Sequence, residues 1–444
     1  MSERIHASYW LETGDDPRRA AEVIAGEQSS GTFITLPNET PALKARSGAR
    51  IERLEVLEQV GQPSLPVATP AKVYTRCTLE LSWPIENLGP SLPNLLATVA
   101  GNLFELRQVS GLRVLDLKLP ASFADAYPGP AFGIDGTRRL SGVAHGPLIG
   151  TIIKPSVGLD PAQTAEQVRQ LIDGGIDFIK DDELQADGPH CPFDERVRAV
   201  MQVVNDAAQR DGRKVMVAFN LTGDLDQMRR RHDLVQSLGG TCVMASLNSI
   251  GLVGLLELRR HASLPIHAHR CGWGYLSRSP ALGWDFAPWH QIWRLAGADH
   301  LHVNGLANKF SESDASVIAA ARAVLKPLFA HQPMPAMPVF SSGQTGLQAP
   351  GTYAALGSAD LIHAAGGGIF GHPGGIAAGV SAFRQAWEAA MAGTPLHEHA
   401  KTHAELRTRL SSGERRGRST LAGRPAACLL RRRLHRLHRC DGGL

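Results

Sequence analysis

The chain has no long apolar run and few cysteines. No stretch of its 444 residues approaches the roughly 20 apolar residues that a membrane-spanning helix needs. The first residues also lack the basic region and the apolar core of a secretory signal. The six cysteines are widely scattered and form no CxxC pair, which favours free thiols in a reducing compartment. We therefore predict a cytoplasmic protein that does not bind a membrane.

The chain also lacks basic character outside its last residues. The formal net charge is +4, but residues 411–444 contain nine arginines, no lysine and two acids. The other 410 residues therefore carry a formal net charge of −3, which gives no indication of nucleic-acid binding. We predict that the C-terminal extension 401–444 is disordered after residue 411. A nucleic-acid arm is the alternative, and we hypothesise that this segment is out-of-frame rather than native sequence.

The first part of the chain predicts a small domain of mixed structure. Hydrophobic residues at 43% and charged residues at 20% are typical of a soluble globular protein. Strand-like patterns cover residues 5–12, 31–36, 51–57, 73–83 and 112–119, and helical patterns cover 18–26 and 92–106. Residues 1–125 are therefore expected to form a ferredoxin-like α+β domain with an antiparallel sheet. A linker is expected over residues 126–146.

Residues 147–400 repeat a strand-then-helix pattern eight times. The strand candidates are 149–154, 176–180, 214–220, 241–247, 264–269, 300–303, 336–341 and 360–365. The dipeptide Asp160-Pro161 predicts the start of the first helix, as Asp16-Pro17 does in the N-terminal domain. We predict an α/β fold with a C-terminal (β/α)8 TIM barrel, since about 250 residues is typical of that barrel. A doubly wound sheet is the competing arrangement.

Polar residues follow nearly every predicted barrel strand. They include Lys154, Lys180 with its three following acids, Asn220, His269, His302, Ser341 and Gly366. A TIM barrel places its active-site groups at the C-terminal ends of its strands. So many polar strand ends on one face are hard to reconcile with a purely structural barrel, and we predict an active site there.

The second predicted strand ends in a charged cluster. Apolar residues lead directly into Lys180-Asp181-Asp182-Glu183, and burying such charges is costly unless they have a use. Two carboxylates at one point indicate a hard cation such as Mg²⁺, which prefers oxygen ligands. Lys180 fits such a site if its amine captures CO₂, because the carbamate is itself an anionic oxygen ligand. A solvated acidic turn is the alternative.

Two glycine-containing loops follow the last two predicted strands. Gly366-Gly367-Gly368 opens the final helix, and Ser341-Ser342-Gly343 precedes it in the chain. Glycines allow backbone N–H groups to approach an anion, and barrels often bind phosphate after these strands. These loops therefore predict a phosphate site, although a tight turn without a ligand is also compatible with them.

His267 and His269 share a face of the fifth predicted strand. An HxH pair can bind zinc, as in amidohydrolase-type barrels, but there the pair usually belongs to the first strand. We interpret His269 as an acid–base residue, Arg270 as an anion clamp and His267 as a core residue.

Two lysines complete the candidates. Lys154 is a usable base only if it is desolvated, and it otherwise lies in solvent at the rim. Lys309 lies in a loop that can close over a substrate, although ordinary loop solubility also explains it.

Taken together, these motifs resemble the RuBisCO large-chain superfamily over about residues 5–400. The resemblance rests on Gly150–Pro155, Asp177–Glu183, His267–Arg270, the spacing of His302 and Lys309, Ser341–Gly343, Gly366–Gly368, Glu27–Thr32 and Gly101–Phe104. It implies Mg²⁺ bound by carbamylated Lys180, Asp182 and Glu183. It also implies that Lys154 transfers a proton at a substrate carbon and that His269 transfers protons at substrate oxygens. It also implies an obligate homodimer whose sites are completed by Glu27 and Asn102 of a partner.

The resemblance further implies two anion-binding poles for a phosphorylated substrate. Arg270 and His302 would hold one anionic end. The residues implied for the other end are Thr32, Lys309, Ser341, Gly343, Gly366 and Gly367. Two poles favour a substrate with a negative charge at each end.

Three departures separate this chain from the carboxylases. Ser156 stands where carboxylases have a second lysine, Trp273 replaces a histidine and Phe33 replaces a tryptophan. The chain therefore resembles the RuBisCO-like, form IV proteins rather than the CO₂-fixing enzymes. We predict carboxyl transfer and C–C hydrolysis on a keto sugar-acid phosphate of the 3-oxo-isoapionate 4-phosphate type. The alternatives are an enolase or isomerase of a methylthio-sugar phosphate and a non-catalytic scaffold.

Overall fold

The computed structural model describes residues 3–31 and 36–412. The predicted strand over 31–36, Thr32 and the arginine-rich segment from residue 413 onward therefore lie wholly or largely outside the described residues. The strands are β1 Arg4–Thr13, β2 Arg50–Val60, β3 Tyr74–Pro84, β4 Gly111–Lys118, β5 Leu148–Ile152, β6 Phe178–Lys180, β7 Met216–Asn220, β8 Cys242–Ser246, β9 Ile266–His269, β10 Leu282–Trp284, β11 His300–His302, β12 Met337–Phe340 and β13 Ile362–Ala364.

The helices connect these strands in chain order. They are α1 Pro17–Glu27, α2 Pro41–Ser47, α3 Leu92–Ala100, α4 Ala121–Ala126, α5 Gly133–Ser141, α6 Pro161–Asp173, α7 Phe193–Asp211, α8 Leu225–Ser237, α9 Leu247–His261, α10 Trp273–Ser277, α11 Phe286–Leu295, α12 Asp314–Leu325, α13 Ala349–Leu356, α14 Gly367–Phe370, α15 Ile376–Met391 and α16 Leu396–His399. A further helix covers residues 404–412.

The two predicted Asp-Pro helix starts are present. Asp16 precedes α1 and accepts a hydrogen bond from the N–H of Arg19 at 2.9 Å. Asp160 precedes α6 and accepts from the N–H of Gln163 at 2.7 Å. In both cases a side-chain oxygen satisfies an N–H group that has no partner inside the helix, which is why these dipeptides predict helix starts.

The N-terminal sheet has the strand order β10-β4-β1-β3-β2. Strands β1 to β4 pair antiparallel as predicted, but β10 pairs parallel to β4. The predicted antiparallel sheet is therefore present, and it becomes a mixed sheet because the barrel region of the chain contributes this edge strand. The guanidinium of Arg113 on β4 holds it there, donating to the carbonyl of Leu282 at 3.0 Å and to that of Trp284 at 2.7 Å.

Eight parallel strands close into a barrel in the order β11-β12-β13-β5-β6-β7-β8-β9. Each predicted barrel strand is present, and the doubly wound alternative is excluded by this closure. Most positions on these strands are buried, as expected for parallel strands covered by helices on the outside. Side chains such as Phe178, Met216, Met244 and Val339 fill the interior, so the barrel is packed rather than open along its axis.

Helix α5 lies within the predicted linker 126–146 and covers the N-terminal end of the barrel. The buried carboxylate of Asp299 accepts hydrogen bonds from the N–H groups of Phe132 at 2.7 Å and Gly133 at 2.9 Å. The Thr137 hydroxyl lies 2.8 Å from Nε2 of His300. These contacts close the N-terminal end, which leaves the opposite end of the barrel for a site.

Two further predictions concern cysteines and membranes. Cys77, Cys191, Cys242 and Cys271 are free thiols. Among the residues that the structure describes, no helix combines the length and the hydropathy needed to cross a membrane.

Candidate active site

A cavity of about 1260 Å³ opens at the C-terminal ends of the barrel strands. The predicted site residues that line it are Lys154, Lys180, Glu183, His269, Arg270, His302, Lys309, Ser341, Gly343, Gly366 and Gly367. These residues come from six strand ends that are far apart in the sequence. Closure of the barrel therefore brings the predicted metal, acid–base and anion-binding groups to one cavity.

Lys180 is the most deeply buried lysine of this cavity, with 1% of its side chain exposed. Its Nζ donates to the carbonyl of Asp181 at 2.7 Å and lies 3.4 Å from Oε2 of Glu183. Burial lowers the pKa of Lys180, although the nearby carboxylates of Glu183 and Asp182 oppose that shift. A lowered pKa increases the fraction of neutral amine, which is the form that reacts with CO₂.

Asp182 is 2% exposed and lies behind Lys154. The Nζ of Lys154 donates to Oδ2 of Asp182 at 2.5 Å and to the hydroxyl of Ser156 at 2.8 Å. Each of the two predicted carboxylate ligands is thus paired with a lysine, Asp182 with Lys154 and Glu183 with Lys180. Two hard oxygen donors beside a buried amine that can become a carbamate form a donor set that fits Mg²⁺.

Asp181 does not belong to this set. Its Oδ2 accepts from Nη2 of the buried Arg196 at 3.1 Å and from the N–H of Asn220 at 2.9 Å. Arg196 also donates to the carbonyls of Ala186 at 2.8 Å and Cys191 at 3.0 Å. The pair therefore fixes the loop that follows β6, whereas Glu183 lines the cavity and Asp182 pairs with the cavity residue Lys154.

His269 lies beside the predicted metal ligands. Its Nε2 is 3.6 Å from Oε2 of Glu183, and its buried Nδ1 has no hydrogen-bond partner among the described residues. Burial lowers the pKa of His269 to about 3, with Lys180 contributing in the same direction. The ring is therefore neutral near pH 7, and a neutral imidazole can accept a proton.

His267 is fully buried between two other histidines. Its Nε2 lies 2.7 Å from Nε2 of His302, and its Nδ1 lies 3.4 Å from Nδ1 of His300. His302 in turn contacts the hydroxyl of Ser341 at 3.1 Å through Nδ1. These contacts support the interpretation of His267 as a core residue, which orients the cavity-facing ring of His302.

Arg270 is 6% exposed and pairs with Glu312, a residue that the sequence patterns did not indicate. Nη2 of Arg270 donates to Oε2 of Glu312 at 2.6 Å. The guanidinium also lies over the rings of Trp273 and Phe286, at 5.8 and 5.3 Å from their centroids. Burial lowers the pKa of Arg270, but Glu312 opposes this shift, so Arg270 carries its positive charge in the cavity wall.

The loops after the last three barrel strands meet at the other side of the cavity. The N–H of Lys309 donates to the carbonyl of Ser342 at 3.3 Å. Gly343 follows with a left-handed backbone (φ +81°), and a Cβ there would lie 3.4 Å from Cβ of Lys309. A glycine therefore relieves the backbone strain at this position, whereas the distance to Lys309 is an ordinary van der Waals contact. A Cβ added at Gly366 would lie 3.4 Å from Cγ of Lys154, which places the backbone of this loop beside that lysine.

Glu27 and Asn102 do not line the cavity. Nδ2 of Asn102 lies 3.5 Å from Oε1 of Glu27, and both are in the N-terminal domain. Their assignment to the site of a partner subunit stays a prediction, as does the role of Thr32, which lies outside the described residues.

Two protein-family models match this chain. Residues 4–123 match the N-terminal domain of the ribulose bisphosphate carboxylase large chain, and residues 133–412 match its catalytic domain. Together they cover the N-terminal sheet and the complete barrel.

Similar proteins have been named in several bacteria. The chain is 71% identical over 410 residues to the 3-oxo-isoapionate-4-phosphate transcarboxylase/hydrolase of Xanthobacter autotrophicus, covering 92% of this chain and 99% of that protein. It is 45% identical over 404 residues to the 3-oxo-isoapionate-4-phosphate decarboxylase of Rhizobium etli, covering 90% and 97%. The crystal structure of a rubisco-like protein from Burkholderia fungorum superposes with a TM-score of 0.87 at 49% identity, covering 92% and 99%. Since the fold, the site and both matches agree, this chain belongs to the RuBisCO large-chain family.

Proposed function

We propose that this chain is a cytoplasmic RuBisCO-like enzyme that transfers a carboxyl group within 3-oxo-isoapionate 4-phosphate and then hydrolyses a C–C bond. The observation that carries this proposal is that one cavity contains Lys180, Glu183 and both anion poles, with Asp182 directly behind Lys154 in its wall. Ser156 stands where the carboxylases have a second lysine, which argues against CO₂ fixation. The 71% identity to a transcarboxylase/hydrolase supports the substrate.

Carbamylated Lys180, Asp182 and Glu183 would hold Mg²⁺. When bound, the cation acts as a Lewis acid that polarises a ketone and its neighbouring hydroxyl, an effect worth several kcal/mol. The donor chemistry fits, because both carboxylates lie at the end of β6 beside a buried amine. Before CO₂ and Mg²⁺ bind, Lys154 pairs with Asp182 and Lys180 pairs with Glu183.

Lys154 and His269 are the proposed proton carriers. Lys154 reaches across from the end of β5, and its contacts with Asp182 and Ser156 hold Nζ at the cavity wall. The side chain of Lys154 is 38% exposed, and we propose that Nζ moves the proton on the substrate carbon once the bound substrate excludes solvent from it. His269 is neutral and has a free ring nitrogen, so it is suited to accept protons from substrate hydroxyl groups.

The two anion poles hold the ends of the substrate. Lys309 and the backbone N–H groups near Gly343, Gly366 and Gly367 would bind the phosphate. Ser341 contacts His302 and would help to position that ring. Arg270 and His302 would bind the opposite end. This polarity disfavours a methylthio sugar, because its apolar end would leave the buried Nη1 of Arg270 without a hydrogen-bond partner.

A product assay tests this proposal and separates it from decarboxylation. The identity to a decarboxylase acting on the same substrate makes decarboxylation the second candidate. Carboxyl transfer followed by C–C hydrolysis yields glycolate and phosphoglycerate without release of CO₂. Decarboxylation instead releases one CO₂ per substrate. Turnover of methylthioribulose phosphate, or no turnover of any candidate, would contradict the proposal.

Removing the metal is expected to abolish this turnover. Treatment with EDTA should lower the rate of product formation at least about a hundredfold, since the Lewis acid is lost. Adding Mg²⁺ with bicarbonate should restore the rate, and adding Mg²⁺ to a bicarbonate-free sample should restore less. The bicarbonate step is the control, because only a carbamate on Lys180 requires CO₂. Full activity in EDTA would exclude a metal enzyme.

We also propose that the enzyme is an obligate homodimer with sites shared between subunits. Glu27 and Asn102 lie away from the cavity of their own chain, as a contribution to a partner's site requires. Coexpressed Asn102→Ala and Lys180→Met chains should regain activity that neither variant has alone, because one site of each mixed dimer is intact. A mixture as inactive as its parents would refute shared sites.

A further inference from the structure

The Arg270 pole of the cavity already contains its own counter-charge. Oε2 of Glu312 lies 2.6 Å from Nη2 of Arg270, and the side chain of Glu312 is 15% exposed. Both residues line the cavity. The positive charge of this pole is therefore matched by a carboxylate before any substrate binds.

Two further hydrogen bonds hold the carboxylate of Glu312 in place. Nδ2 of Asn304 donates to the same Oε2 at 2.6 Å, and the hydroxyl of Ser316 donates to Oε1 at 2.9 Å. Asn304 is itself oriented by the hydroxyl of Ser342, which donates to its Oδ1 at 2.7 Å. With Arg270, these donors satisfy both oxygens of Glu312, so the carboxylate is a fixed part of the cavity wall.

Arg270 nevertheless retains one nitrogen, Nη1, whose N–H donors are unused. Its buried Nη1 has no hydrogen-bond partner among the described residues. The rings of Trp273 and Phe286 pack against the guanidinium and fix its plane. A buried N–H without a partner is costly, so this nitrogen is positioned to donate to a bound ligand.

His302 adds no charge at this pole. Burial, together with the neighbouring His269 and His267, lowers the pKa of His302 well below its usual value, and the ring is neutral near pH 7. At the other pole, Lys309 is a cation for which the described residues show no carboxylate within ion-pairing distance. The two poles therefore differ: one is charge-balanced and the other is cationic.

We propose that Glu312 is a specificity residue that makes the Arg270 pole accept a monoanionic carboxylate and reject a phosphate. A carboxylate can take the free Nη1 donor and share Arg270 with Glu312. A phosphate would bring close to two negative charges against a fixed carboxylate, and like charges placed together weaken binding strongly. The inference rests on the proposed function and deepens it: the substrate binds with its carboxylate at Arg270 and its phosphate at Lys309.

Equilibrium binding of two unreactive ligands tests this inference. Ribonate 5-phosphate carries a carboxylate and a phosphate, and ribitol 1,5-bisphosphate carries two phosphates on the same number of carbons. Isothermal titration of the full-length protein in Mg²⁺ and bicarbonate should show at least about tenfold tighter binding of the ribonate. Glu312→Gln keeps the shape of the side chain but removes its charge. It should therefore shift the ratio of the two dissociation constants at least about tenfold toward the bisphosphate.

Two matched variants separate charge from packing. Glu312→Asp retains the carboxylate and should keep a ratio close to that of the wild type. Asp285→Asn removes a carboxylate that lines the same cavity but pairs with Arg113, and it should leave the ratio unchanged. The wild-type ratio itself remains a test if Glu312→Gln does not fold.

The opposite results would overturn the inference. Equal or tighter binding of the bisphosphate by the wild type would do so, as would a Glu312→Gln ratio within about twofold of the wild-type value. Since neither ligand reacts, this outcome is independent of the product assay. Expected products with no ligand preference would refute the role of Glu312 alone, and a clear preference without those products would refute the proposed reaction alone.

Discussion

Replacing Lys180 with methionine is expected to lower kcat/KM for the sugar-acid phosphate at least about a thousandfold. Methionine has a similar length and tolerates the buried position, which is 1% exposed. It cannot form a carbamate, and it leaves Glu183 without its lysine partner. We therefore expect loss of both Mg²⁺ binding and product formation, measured by calorimetry and by the product assay, with the fold retained.

A surface lysine provides the control for this variant. Lys401 is 66% exposed, pairs with Glu398 and does not line the cavity. Lys401→Met should bind Mg²⁺ and turn over substrate as the wild type does. If Lys180→Met kept its activity within about tenfold of the wild type, a metal site built on this lysine would be wrong.

Replacing Arg196 with methionine is expected to lower the free energy of unfolding by about 3–5 kcal/mol. Arg196 is completely buried, and its guanidinium holds Asp181 and three backbone carbonyls of the loop after β6. Without it, the buried carboxylate of Asp181 loses its counter-charge and the carbonyls lose their donors. Urea unfolding followed by circular dichroism would measure this loss.

Arg198 lies on the same helix and is exposed. Arg198→Met should change the free energy of unfolding by less than about 0.5 kcal/mol, as is usual for surface positions. We also expect Arg196→Met to weaken Mg²⁺ binding, because the loop that it anchors contains Asp182 and Glu183. An Arg196→Met protein as stable as the Arg198 control would show that Asp181 finds another partner.

The barrel was predictable because its strands and helix starts depend on residues that are close together in the sequence. Buried parallel strands appear in the sequence as short apolar runs, and the predicted 214–220 and 241–247 match Met216–Asn220 and Cys242–Ser246. The helix starts at Asp16 and Asp160 were predictable for the same reason, since capping acts within three residues. The positions of the cavity lysines and histidines then followed from the rule that barrel sites lie at strand ends.

Contacts between distant segments were not predictable in this way. Strand β10 has three residues, and only its pairing with β4 identifies it as part of the N-terminal sheet. Helix α5 lies where a linker was expected, and it closes the barrel through contacts with Asp299 and His300. No local pattern in the sequence predicts such pairings, because the partners are more than 150 residues apart.

The sequence by itself determined the closed barrel, the end of the barrel that carries chemistry, and the residue types gathered there. The tertiary structure decided which of those residues pair with each other. It paired Asp181 with Arg196 and Asp182 with Lys154, and it placed Glu183 in the cavity wall beside Lys180. It also placed Glu312 against Arg270. The reason is that hydrophobic periodicity and capping act between near neighbours, whereas the partner of a charge is chosen by whichever distant group folding brings within a few ångströms.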